Sequence, residues 1–111
     1  MNSRRRVNSD VGPHLKVMDK TEALAVLNKE LSLFRVLPYP DLLTLVDRSS
    51  TLERTGPSGT KYQIEMQVLI DDPRRHTLRV AGAIDDGTFW RAVSPLCDSF
   101  IVALDGSFVG E

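Results

Sequence analysis

Apolar positions recur with two different periods, three to four residues in the first half of the chain and two residues in the second. In "DKTEALAVLNKELSLFRVL", residues 19 to 37, Leu24, Leu27, Leu31 and Phe34 line up at helical spacing, and Val26, Leu33 and Leu37 form a second stripe beside them. Asp19 precedes Glu22 by three residues in the form of a capping box, so a helix is predicted to begin there. The prolines of "PYP" at 38 to 40 stop it, because proline cannot continue the backbone ladder and pushes its predecessor out of helical conformation. Asp41 is then placed to cap a short second helix carrying Leu42, Leu43, Leu45 and Val46. A helix with two apolar stripes packs on a sheet and also meets something else, either "DLLTLV" next door or a second subunit.

From residue 50 the period is two. Tyr62, Ile64, Met66, Val68 and Ile70 alternate with Lys61, Gln63, Glu65 and Gln67, which describes a strand with one wet face. "STLERT" before it reads as a shorter partner strand across a "GPSG" turn. "HTLRVAGAI", "TFWRAV" and "SFIVAL" follow, separated by the turn chemistry of "DDPRR", "DDG" and "SPLCD". The fold class is therefore α+β, with an N-terminal helix and a short second helix packed on one face of a five-stranded antiparallel meander.

Strand parity then assigns faces. Ile64, Val68, Leu78, Val80, Phe89, Val93, Phe100, Val102 and Leu104 are expected to point toward the helices, and Ala81, Ala83, Trp90, Ala92, Ile101 and Ala103 away from them. That outer face is polar on the first long strand and apolar on the later ones. Trp90, Ala92, Ile101 and Ala103 are accordingly the expected interface residues, because exposed apolar patches mark interaction surfaces. Three uses compete for this face: a dimer interface, a shallow ligand surface, or cover by the C-terminal "GSFVGE".

Length and composition change the picture little. The chain has 111 residues, 41% hydrophobic and 26% charged, which suits one domain at 18–111 behind an N-terminal segment. Charge adds an asymmetry. Residues 1 to 20 hold five bases against two acids, giving +3, while the rest hold nine against thirteen, giving −4. Residues 1–17 have little apolar content, and a disordered basic tail is expected there. Three consecutive arginines make few phosphate contacts and the acidic body repels polyanions, so nucleic acid is not an expected partner. No apolar run approaches the roughly 20 residues that span a bilayer, and no signal-peptide pattern follows the start, so no membrane association and a cytoplasmic location are expected. The single cysteine, Cys97, agrees with a reducing compartment.

Candidate chemistry is sparse. The acidic pairs Asp71/Asp72 and Asp85/Asp86 fall at opposite ends of one strand, about 25 Å apart, and cannot share an ion. Both sit in sequences that form turns. Asp105 is expected at the Asp85/Asp86 end, short of the six to eight oxygens that calcium takes. "GPSGTK" lacks the spacing of a phosphate loop and lies between two strands. The best enzyme constellation is Cys97 with His76, oriented by Asp98, on the expectation that the meander brings them to one end about 10 Å apart. The alternative for Cys97 is a small buried apolar residue.

The resulting expectation is a small non-enzymatic interaction module, homodimeric or bound to another protein, with neither cofactor nor metal. Its rivals are a small-ligand-binding domain with a pocket between helices and sheet, using Tyr62 or Arg79, and a thiol enzyme using Cys97.

Overall fold

The computed structural model describes residues 18–87 and 95–111. Helix α1, Lys20–Arg35, begins where Asp19 Oδ1 accepts the Glu22 amide at 3.1 Å, which satisfies one of the free donors of the first turn. Only half of the capping box forms, because the Glu22 carboxylate turns away toward Ser58 and Tyr62. The helix ends before Pro38, and the short α2, Tyr39–Leu43, follows with Pro38 at its N-cap. Asp41, expected as that cap, lies inside the first turn instead.

Four strands follow: β1, Ser49–Thr55; β2, Lys61–Asp72; β3, Thr77–Asp85; and β4, Leu96–Val102. They form an antiparallel sheet in the order β1-β2-β3-β4. The α+β class and the meander hold, with four strands among the described residues in place of five. The expected fourth strand, "TFWRAV", lies outside the described residues, and the position beside β3 that it would occupy is taken by 96–102, with Ile84 opposite Leu96 and Leu78 opposite Val102. The tail at 1–17 is likewise outside the described residues.

The core is one layer between helices and sheet. Tyr62, Ile64, Met66 and Val68 of β2, Leu78, Val80 and Ile84 of β3, and Phe100 and Val102 of β4 are buried on the face that receives Ala23, Leu27 and Leu31 of α1 and Tyr39 and Leu42 of α2. Among the described residues the expected inward set is thus right except for Leu104, which sits in the turn beyond β4 and is exposed. On α1 the buried stripe is Ala23, Leu27, Glu30 and Leu31, while Leu24 and Leu33 are exposed.

Helix α1 lies over β3 and β4. Its closest approach is at Gly82, where a Cβ would stand 2.7 Å from Leu27 Cδ1 and 2.9 Å from Met66 Sδ. The missing side chain is what lets Leu27 reach the sheet.

The C-terminal segment folds back on β4. Asp105 and Gly106 turn the chain, Ala103 donates to the Ser107 carbonyl, Val109 donates to the Ile101 carbonyl, and Phe108 pairs with Val102. Paired residues share a face, so Phe108 points to the helix side with Val102. There it meets Phe100 edge to face, and the Arg35 guanidinium lies 4.6 Å from the Phe100 ring centre and 4.7 Å from that of Phe108. Arg35 also grips Glu111 through two bonds of 2.7 Å. "GSFVGE" therefore lies along the end of the β4 edge at Ile101–Ala103, with Phe108 on the helix side rather than over the outer face.

Candidate functional site

The acidic pairs are occupied by turns. Asp72 Oδ1 accepts the Arg74 amide, Asp85 Oδ1 accepts the Gly87 amide, and Asp105 Oδ1 accepts both the amide and the hydroxyl of Ser107. The Ser107 hydroxyl and then its amide hold the Asp105 carboxyl below its ordinary pKa. Asp71 and Asp72 stand at the opposite end of β3 from Asp85 and Asp86, as expected. Asp105 does not join Asp85 and Asp86, since β4 runs back toward Leu78 and delivers it to the Asp71/Asp72 end. Among the described residues no group of three His, Cys, Asp or Glu side chains is placed to hold a metal ion.

The thiol constellation falls apart for the same reason. His76 precedes the first residue of β3, whereas Cys97 pairs with Ala83 near its last, a separation of roughly 23 Å at 3.3 Å per residue. Nucleophile and base cannot meet. Cys97 is exposed rather than buried, because it shares the outer parity of Ser99 and Ile101. His76 adopts φ 57 at the β2–β3 turn, and its carbonyl accepts the Tyr39 hydroxyl at 2.6 Å.

Tyr62 and Arg79 do not converge either. Arg79 is on the outer face, bonded to Ser99 and Asp71. Tyr62 is buried on the helix face, and its hydroxyl donates to Glu22 at 2.6 Å. Glu22 also accepts the Ser58 hydroxyl at 2.7 Å and the Ser58 amide at 2.8 Å. These donors, Tyr62 first, hold the Glu22 carboxyl below its ordinary pKa, while burial and the same hydrogen bond push the Tyr62 hydroxyl up. The proton stays on tyrosine. The group is a strut between the first turn of α1 and the β1–β2 turn.

On the outer face, residues paired across the strands give the rows Thr51, Glu65, Ala83, Cys97 and Ser49, Gln67, Ala81, Ser99, then Leu69, Arg79, Ile101. Ile101 and Ala103 are half-buried there, and Trp90 and Ala92 lie outside the described residues. The face is less apolar than its alternating pattern implies, since Arg79 separates Leu69 from Ile101.

Sequence reasoning missed the other open surface. Because α1 lies over β3 and β4, the described residues cover the helix side of β1 only in part, at Leu52 and Arg54, and two troughs border that strand. One of about 460 Å³ runs between Ala25, Val26, Lys29 and Glu30 of α1 and Arg54 and Thr55 of β1. A second of about 240 Å³ lies at the other end, against Phe34, Ser49 and Ser50. Glu30 is 5% exposed between them and its charge is balanced by Arg54, whose Nε donates to Oε1. The signal for this groove was present in the second apolar stripe of α1, which exceeds what one sheet can cover.

β1 is also an edge strand. The turn bond from the Gly56 amide to the Thr60 carbonyl fixes the alternation of the ladder, so even-numbered residues from Arg54 to Ser50 bond to β2. The amides and carbonyls of Thr51, Glu53 and Thr55 point outward. Ser50, Leu52 and Arg54 face the helix side, opposite Met66, Ile64 and Tyr62. Among the described residues no helix is long and apolar enough to cross a membrane. The chain matches no family model, and no curated protein or solved structure is similar to it.

Proposed function

We propose that the chain is a non-enzymatic interaction module that takes an extended segment of a protein partner onto β1, with alternate side chains of that segment entering the troughs beside α1. A second copy of the chain, giving a homodimer, and another protein would both use this edge. The observation that carries the reading is the contrast between the two ends of the sheet. Among the described residues the C-terminal segment pairs with the end of β4 at Ile101–Ala103, whereas β1 pairs with β2 over seven consecutive positions and no described strand lies on its other side. β1 carries the charges of Glu53 and Arg54 but has no proline or bulge, and at seven residues it is not short, so its edge is blunted only by charge. Strand addition supplies affinity through backbone bonds and specificity through pockets for alternate side chains. The separation of Cys97 from His76 counts against the best constellation of the enzyme rival.

The outer-face group of Trp90, Ala92, Ile101 and Ala103 is the runner-up surface. Its supporting observation is that Ile101 and Ala103 are half-buried on a face over which no described element packs.

The test is selection of random twelve-residue peptides on the full chain, with Glu53→Pro as the counter-target. The Glu53 amide points outward, so proline there removes an edge donor without breaking the ladder to β2. Selected peptides should lose at least tenfold in affinity for Glu53→Pro and keep it for Ile101→Glu. Peptides indifferent to Glu53→Pro would refute the reading, and sensitivity to Ile101→Glu alone would move the site to the outer face.

A further inference from the structure

We infer that the strand added to β1 is β1 of a second copy, paired antiparallel about a twofold axis at Leu52; this rests on the edge reading above and names its partner. A symmetric dimer places the same patch on both sides, so residue i meets j wherever j meets i. Only registers that set outward-pointing residues against each other can form the ladder, which restricts the axis to single positions of β1. Like charges directly opposite each other are destabilising across a strand pair.

That rule decides among the candidates. An axis at Glu53 sets Glu53 against its own copy, and an axis at Arg54 does the same to Arg54. An axis at Thr51 brings Arg54 opposite Arg48 of the second copy. An axis at Thr55 leaves an overlap of only a few residues before Pro57. The axis at Leu52 sets Glu53 against Thr51, Arg54 against Ser50 and Thr55 against Ser49, with no like pair. It also puts the one apolar side chain of β1 on the axis. Leu52 is half-buried against the core and lies on the helix side, so its copy would meet it there and bury what remains exposed.

The pairing joins two four-stranded sheets into one of eight, with both α1 helices on the same face. The contact is two seven-residue strands and the trough walls, at the low end of specific interfaces, which implies association at micromolar rather than nanomolar concentration.

Two measurements on the full chain test this. In sedimentation equilibrium up to about 100 μM, the wild-type chain should show dimer mass. Glu53→Pro should weaken it at least tenfold and Ile101→Glu should leave it unchanged. The register is read by oxidative cross-linking in a Cys97→Ser background. The Leu52 pair is of the close type, with Cα atoms about 4.5 Å apart, inside the range that disulfides accept. Leu52→Cys should therefore cross-link nearly completely and Glu53→Cys several-fold less. A Thr51→Cys/Glu53→Cys chain, altered only at exposed positions, should also cross-link and covers the case in which Leu52→Cys fails to fold. A monomer at about 100 μM, a dimer indifferent to Glu53→Pro, or Glu53→Cys cross-linking better than Leu52→Cys would overturn the inference. If the chain is monomeric yet selected peptides still depend on Glu53, self-pairing falls and the edge reading stands. If both fail, both fall.

Discussion

Replacing Gly82 by alanine tests the tightest contact between α1 and the sheet. The added Cβ would lie 2.7 Å from Leu27 Cδ1, 2.9 Å from Met66 Sδ and 3.6 Å from Leu31 Cδ2, so at least two side chains must move. Overpacking of this kind costs about 1–3 kcal/mol. Alanine recovers roughly 0.5–1 kcal/mol of backbone entropy relative to glycine in a strand. The clashing atoms are ends of flexible side chains and give partly, so the net loss should be about 1–2 kcal/mol. With a urea slope of about 1–3 kcal/mol/M, the midpoint should fall by roughly 0.3–2 M. Leu27→Ala alone should cost about 2–5 kcal/mol, because Leu27 is fully buried. The two changes should not add. Removing the Leu27 side chain opens the space that the methyl group introduced by Gly82→Ala needs, so the double variant should be more stable than the sum predicts by about 1 kcal/mol or more. Equilibrium unfolding followed by circular dichroism measures all four corners of the cycle. A neutral or stabilising Gly82→Ala, or strict additivity with Leu27→Ala, would refute the claim that Gly82 sets the distance between helix and sheet.

Two further outcomes follow from polar groups. Folding depresses the Glu22 pKa, so its contribution is present above the ordinary value of 4.5 and is lost as pH falls through the lower folded value. The urea-midpoint gap between wild type and Glu22→Gln should be full at neutral pH and close below about pH 4; a gap unchanged down to about pH 3 would count against the strut. Arg35→Lys keeps the charge but loses the flat fork that grips Glu111 and stacks on two rings. Hydrogen exchange at Ala103 and Val109 should then quicken while α1 amides stay as they were, and unchanged exchange at both would mean the clamp does not hold the segment.

Period carried most of the fold. The alternation from Tyr62 to Val68 identified β2 and its wet face because an antiparallel sheet with helices on one side imposes that pattern, and Asp19 marked the start of α1. Register was less legible. "TFWRAV" has strand composition, but composition does not say which neighbour takes the place beside β3, and with 96–102 in that place Cys97 and Asp105 fall at the ends opposite to those expected while His76 keeps its own. Cys97 was misread as buried because it was placed in a turn; once 96–102 is one strand with Phe100 and Val102 inward, its odd position faces out. The second apolar stripe of α1 signalled an additional surface, but its place beside β1 was not legible, since it depends on α1 lying over β3 and β4 with its closest approach at Gly82.

The order in which the chain is made bears on how α1 is covered. Its apolar stripe is complete by residue 35, but the strands it packs on begin at Thr77 and Leu96, and the Glu111 carboxylate that grips Arg35 lies 76 residues downstream. At translation speeds of about 5–20 residues per second, that gap lasts roughly 4–15 s. For the part of it that precedes β3, Leu27 and Leu31 lack the strands they pack on, and β1 and β2 alone form a hairpin with an unprotected apolar side. The nascent helix thus keeps its apolar stripe exposed until late in synthesis, and docking α1 is a long-range step added to a meander whose strand pairings are sequential.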